Sequence, residues 1–298
     1  MPGALIVTES KTSRGFALTI VLWIVIALSL IAIGIVHLNR SDQTIAQAAE
    51  VLAQAQESAD AGVTRGIMAL LDRDPTHSWR IDGTPQSWSF ADAKVQISIE
   101  DELGKIDLNA ASDSRLHDLF LSTGVSEDEA ETLVDTIADW RDQDDLKRLH
   151  GAEKDDYAAA GLPYGPRNGL FESVDELGQI LGMPAQVLER VRPALTVFSH
   201  LPVPDPSTAP AAVLAVLPSI GPNGIEAALA ARGHAVNDTD TSATPTLLGT
   251  TSTITDLTGR AFTLHAIAQM PDGTRAERIA VIRFTDGAHG KYWIQDWR

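Results

Sequence analysis

The chain of 298 residues contains no cysteine, which excludes disulfide frameworks, thiol nucleophiles, CxxC redox centres and cysteine-ligated zinc or iron–sulfur sites. Basic residues are scarce as well. Forty acids against 23 bases give a formal charge of −17, a field that repels phosphate and argues against nucleic acid as a partner. HExxH, G-x-S-x-G and P-loop spacings are absent, so no catalytic set can be assembled and no enzymatic activity is expected. The eight histidines are scattered and receive no role.

Composition is otherwise that of a folded protein, 44% hydrophobic and 21% charged, with length enough for two domains and allowing one or three. The apolar residues are concentrated near the N-terminus. No fixed charge occurs between Arg14 and Arg40, and residues 16–38 are apolar over a length that spans a bilayer, longer than the 7–15 residue core of a cleavable signal. Cleavage after Ala46-Gln47-Ala48 is the competing reading, but those alanines lie inside a helical pattern. Lys11 and Arg14 precede the span and Asp42 follows Arg40, which places the N-terminus in the cytoplasm and the rest beyond the membrane. Ile45, Ala48, Leu52, Ala55, Ala59, Val63, Ile67 and Leu70 then recur at helical spacing, so one helix is expected from Phe16 to about Arg73, with Pro75 as its stop. Residues 39–74 form its stalk portion.

Two-residue periodicity appears in Trp79–Ile81, in Lys94–Glu100 and again in Phe262–Ala268, Arg278–Phe284 and Tyr292–Trp297, with turns at Asp82-Gly83-Thr84 and Pro271-Asp272-Gly273-Thr274. Between these strand sets, 102–233 reads as helices. Asn109 is a candidate cap, Ser126 with Glu129 a capping box, and Phe171–Leu195 a second helical pair, with Pro210–Arg232 a third. The expectation is an α+β chain: a first part of a β-domain in 75–101, an inserted helical domain in 102–233, and a loop plus the remainder of the β-domain in 234–298.

Arg14-Gly15-Phe16 directly before the apolar helix resembles the leader and cleavage site of type IV prepilins and type II secretion pseudopilins. That resemblance implies a leader of residues 1–15, cleavage by prepilin peptidase between Gly15 and Phe16, and N-methylation of Phe16. Most such proteins carry a glutamate at the fifth mature position; here that position is Ile20. An apolar residue there is similar to the minor pseudopilin K family. Gly104-Lys105-Ile106-Asp107-Leu108-Asn109-Ala110-Ala111, Ala138-Asp139-Trp140-Arg141-Asp142, 161–169 and Phe171–Leu177 resemble that family in order and spacing. The resemblance implies a pseudopilin fold with a long N-terminal transmembrane and stalk helix, an antiparallel sheet and a large helical insertion of SAM-like or helix-hairpin-helix type. Its implied role is a minor pseudopilin at the pseudopilus tip, single-pass in the inner membrane with its C-terminal domain in the periplasm, with other minor pseudopilins as partners. The alternative is a signal-anchored envelope protein whose helical pairs bind DNA or another ligand; the acidic hairpin Thr123-Gly124-Val125-Ser126-Glu127-Asp128-Glu129 argues against it.

Seven acids crowd 139–156. Asp142, Asp144, Asp145, Glu153 and Asp156 supply enough oxygens for calcium but do not follow EF-hand spacing. Taken alone they fit a solvated loop countered by Arg141, Lys147, Arg148 and Lys154 slightly better than a calcium site. The K-family resemblance implies calcium bound in the helical domain, with these five acids as candidate ligands.

Overall fold

The structure is a computed structural model describing residues 14–72, 74, 79–218, 220, 224–235, 257–285 and 292–298, with side chains at 14–17, 33–44 and 231–235 outside the description. The chain divides into two units, Met1–Gln54 and Ala55–Arg298. Helix α1 (Arg14–Leu71) contributes to both.

In the first unit every described side chain from Leu18 to Ala32 and from Ile45 to Glu50 is exposed. Among the described residues no helix is long and apolar enough to cross a membrane. The expected span of 16–38 begins and ends among side chains outside the description, and the leader falls largely in the undescribed 1–13.

The second unit begins where α1 acquires a buried stripe. Ala55, Ala59, Val63, Ile67 and Leu70 are buried, whereas Leu52 remains exposed, so the helical periodicity becomes a packing face only beyond residue 54. That face lies on a sheet. β1 (Gln86–Phe90) forms a hairpin with β2 (Ala93–Asp101) through Ala91, whose φ of 48° supplies the left-handed residue such a tight turn requires. β2 alternates as expected, with Val95, Ile97 and Ile99 buried. Trp79–Ile81, expected as a strand, is not one. Asp82 makes only an isolated bridge to Glu100, because its carboxylate pairs with Arg80 and accepts from the Thr84 N–H and hydroxyl, turning the chain locally.

After β2 the chain enters the helical insertion. Two-residue β3 (Ile106–Asp107) leads to α2 (Asp113–Ser122), α3 (Glu127–Arg141) and α4 (Lys154–Ala159). A 3₁₀ turn (Val174–Gln179) and α5 (Ala185–Val191) follow, then β4 (Leu195–Thr196), α6 (Ala211–Leu214) and α7 (Gly224–Ala235). β3 and β4 pair in parallel, a contact the sequence reading did not anticipate. Ser112, not Asn109, occupies the N-cap of α2, while Ser126 Oγ does accept from the Glu129 N–H at 3.3 Å. The third pair is shorter than expected at α6, four residues long.

The sheet resumes with β5 (Ala261–Gln269), β6 (Arg275–Phe284) and β7 (Tyr292–Trp297), giving an antiparallel order β1-β2-β5-β6-β7. Phe262, Leu264, Ala266 and Ala268 are fully buried, as their alternation implies. The segment 234–255, expected as a loop, lies outside the described residues from 236 onward.

α1 sits unusually close to this sheet. A Cβ at Gly62 would lie 2.8 Å from Val95 Cγ1 and 2.9 Å from Ala266 Cβ, and one at Gly66 would lie 2.6 Å from Leu264 Cδ2. Two glycines one helical turn apart therefore set the helix–sheet distance.

Candidate functional site

The four stretches singled out in the sequence converge in the insertion. Asn109 behaves as a strand partner for Phe171: Nδ2 donates to Phe171 O at 2.9 Å, and Oδ1 accepts from Phe171 N–H at 2.8 Å. Asp107, fully buried, accepts from Asn109 N–H at 2.8 Å and from His200 N–H at 2.7 Å. Arg141 donates to Leu108 O at 2.6 Å and pairs with Asp113. Trp140 stacks on Phe171, donates to Glu176 at 3.4 Å, and accepts through its carbonyl from Gly169 N–H. Tyr157, buried among these rings, accepts from Leu181 N–H at 3.1 Å, and burial pushes its phenol up to about 12. These residues satisfy buried backbone groups that short helices leave open.

Against this core lies the acidic loop. Asp139, fully buried, accepts from Arg148 N–H through both oxygens, each at 3.3 Å, and a Cβ at Gly151 would collide with it. Asp142 Oδ1, both carboxylate oxygens of Glu153 and Asn168 Oδ1 are buried atoms without a hydrogen-bond partner. Burial, then repulsion from Asp139, Asp142, Asp145 and Asp144, pushes Glu153 up to about 7. Burial likewise raises Asp139, and burial with Asp144 nearby raises Asp142. Asp145 accepts from Asn168 Nδ2 at 3.2 Å, and Asp144 accepts from Leu146 N–H at 2.9 Å.

Asp156 stands apart from the other candidate ligands. One oxygen accepts from Lys147 at 2.6 Å and the other from Glu153 N–H at 2.9 Å, so its carboxylate is occupied as half of a capping box on α4. The Lys147 ammonium holds it below the usual carboxylate range. Among the described residues no group of three His, Cys, Asp or Glu side chains stands ready to hold a metal ion. The donor chemistry nevertheless suits a hard cation: orphaned buried oxygens, all carboxylate or amide, with mutual repulsion that a positive charge would relieve. Asp139 and Asn168 belong to this neighbourhood and were not among the candidate ligands. Asn168 has φ 53°, and nothing in its local sequence marks it as aimed at the acids.

Gly15 and Phe16 lie in the first turns of α1, their side chains outside the description, and Ile20 is 45% exposed on the same helix.

A family model described as type II secretion system (T2SS), protein K, matches residues 95–200. The chain is 28% identical over 124 residues to a putative type II secretion system protein K of Escherichia coli K12, and 32% identical over 75 residues to a type II secretion system protein K of Pectobacterium carotovorum. Over these residues the chain is similar to the type II secretion protein K family. A further protein K, from Dickeya chrysanthemi, is 31% identical over 80 residues. The three matches cover 39%, 25% and 27% of this chain and 37%, 23% and 22% of those relatives. By fold, a chain of the GspK-GspI-GspJ complex from the enterotoxigenic Escherichia coli type 2 secretion system superposes with a TM-score of 0.50 at 16% identity, covering 87% of this chain and 98% of that one. The protein K match runs from β2 to His200, the segment in which Asn109, Trp140, Arg141 and Phe171 meet.

Proposed function

We propose that this protein is a minor pseudopilin of a type II secretion system, built to assemble with other minor pseudopilins at the pseudopilus tip. The observation that supports it most is a protein K segment set as a helical insertion between β2 and β5 of a sheet packed on a long N-terminal helix. The solved neighbour is named as a complex with two further Gsp proteins, and partners of that kind are assigned here to this chain. Prepilin peptidase cleaves after Gly15, and the helix from methylated Phe16 to Leu38 remains in the inner membrane with the rest periplasmic. The exposed, almost wholly apolar side chains of 18–32 support that anchor. Ile20 presents no carboxylate to a neighbour's N-terminal amine, so addition on one side is disfavoured and the subunit starts or ends a filament.

Calcium in the insertion is held by Asp142, Asp144, Asp145 and Glu153, with Asp156 locking α4 in place instead of ligating. Its charge offsets carboxylates that otherwise repel one another. Asp139 holds the loop's backbone in position beneath them.

Expression with and without other minor pseudopilins, followed by mass spectrometry, co-purification and electron microscopy, tests the reading. The expected outcome is a chain beginning at methylated Phe16 that forms complexes only when partners are supplied. An intact leader in cells with active peptidase, or long homopolymers, would refute it.

A further inference from the structure

A cleft of about 560 Å³ lies between one face of the sheet, at Glu100, Thr263 and Ile279, and the insertion, at Val174 and Pro193. The two sides of this cleft are closed by different chemistry. On the β2–β5 side the links are buried. Asp101, 1% exposed, pairs with Arg260, and Glu102, 2% exposed, accepts from Lys105 at 2.8 Å and from Thr263 at 2.7 Å. Asp205 N–H donates to Leu103 O at 2.7 Å, and Gly104 abuts Thr208 so closely that a Cβ would lie 2.6 Å from its carbonyl carbon.

On the β7 side the link is exposed. Arg298, tied to Ile279 by backbone bonds of 2.9 Å in both directions, reaches across to Asp175 at 3.1 Å. Asp175, in the 3₁₀ turn of the insertion, also pairs with Arg192. The side chains of Arg298 and Asp175 are half exposed and that of Arg192 more than a third.

We propose that Arg298, Asp175 and Arg192 form an ionic latch, and that the buried Asp101–Arg260 and Glu102–Lys105 network is the pivot about which the insertion swings to widen the cleft. Exposed ion pairs are weak and are screened by salt over roughly 8–10 Å, whereas buried pairs are screened much less. One side of the cleft is therefore far more sensitive to ionic strength than the other. Arg298 is tied by its backbone to β6 and Asp175 sits in the 3₁₀ turn of the insertion, so their separation reports the relative position of the insertion and the sheet. Hinges of this kind concentrate at element ends, and the pivot residues Asp101 to Lys105 lie between the end of β2 and the start of β3.

The absence of cysteine makes the test direct. Spin labels placed by Ser114→Cys in the insertion and Lys94→Cys in the sheet, in the full chain in detergent, give a distance distribution by electron–electron resonance. In the parent at low salt the distribution should be narrow, and at high salt longer and broader. Arg298→Gln, which leaves the Asp175–Arg192 pair intact, should give the high-salt distribution already at low salt. Asp175→Asn should do the same, the double variant should add nothing, and Arg80→Gln, which removes an ion pair outside the cleft, should leave it unchanged. Melting by circular dichroism establishes that each variant is folded. A low-salt distribution in Arg298→Gln identical to the parent's, or an undiminished salt response in that variant, overturns the latch.

Discussion

The sheet with its covering helix and the helical insertion solve the same problem by opposite means. Where α1 meets the sheet, order comes from closeness: alanines, valines and two glycines let a helix lie directly on Val95, Ile97, Leu264 and Ala266. In the insertion the helices are short, α4 having six residues and α5 seven, and helices of that length are marginal by themselves. There a hydrophobic core from Ile106 to Leu217 is supplemented by polar side chains, buried Asp107 and Asp139 and part-buried Asn109 and Arg141, that bond to backbone across it. The close approach at Gly62 and Gly66 leaves the first region little room for added volume, whereas the second is the more exposed to loss of polarity. Close approach marks the first region, and cross-core hydrogen bonds added to an apolar core mark the second.

The sharpest break of this contrast is Gly66→Val. The added methyls meet Leu264 and Ile97 with no space to move into, and about 3 kcal/mol of stability should be lost, measured by denaturant unfolding. Hydrogen exchange should locate the loss in α1, β2 and β5, with protection in α2 and α3 retained.

Calcium should act on the other region alone. At a hundredfold excess over its dissociation constant, binding to the native state adds about 2.7 kcal/mol. Differential scanning calorimetry against chelator should show the gain, and exchange should place it in residues 139–157. An unchanged melt would reduce the acids to a solvated loop. Asn109→Ala should cost about 2 kcal/mol, because it strands the N–H and carbonyl of buried Phe171, and the loss should appear in the insertion first.

A pH effect of smaller size follows from Glu153. Its folded value of about 7 stands above the ordinary 4.5, so the folded chain holds a proton that the unfolded chain has released. In chelator, stability should therefore fall as pH rises from about 4.5 to about 7 and be flat for this group beyond. Glu153→Gln should flatten that segment of the profile and abolish the response to calcium. Smallest of all, Lys147→Ala removes a half-exposed partner of Asp156, and its denaturant midpoint should stay within error of the parent's.

Periodicity alone was enough for the larger elements. The stripe Ala55, Ala59, Val63, Ile67, Leu70 and the alternations in β2 and β5 are buried as their spacing implies, because a packing face must repeat with the period of its backbone. β1 escaped notice: Gln-Ser-Trp-Ser-Phe is brief, and its Ala-Asp turn lacks the Asn-Gly or Asp-Gly signal. Gly62 and Gly66 carried no reading in the sequence, because only the sheet beneath them gives the pair a meaning.

The acids illustrate the remaining limit. Their crowding between 139 and 156 is a property of sequence, as are the charge of −17, the lack of cysteine and the apolar run after Gly15. Which carboxylates are spent and which are left over is not. Asp156 is consumed by Lys147 and the start of α4, Asp139 is turned inward onto the Arg148 amide, and Asn168 reaches back to Asp145 across 23 residues. Sequence determined the residue types and the local periods, since these depend on neighbours along the chain. Tertiary structure alone decided which polar atoms found partners, since hydrogen bonds between distant segments are fixed only when the core brings their backbones together.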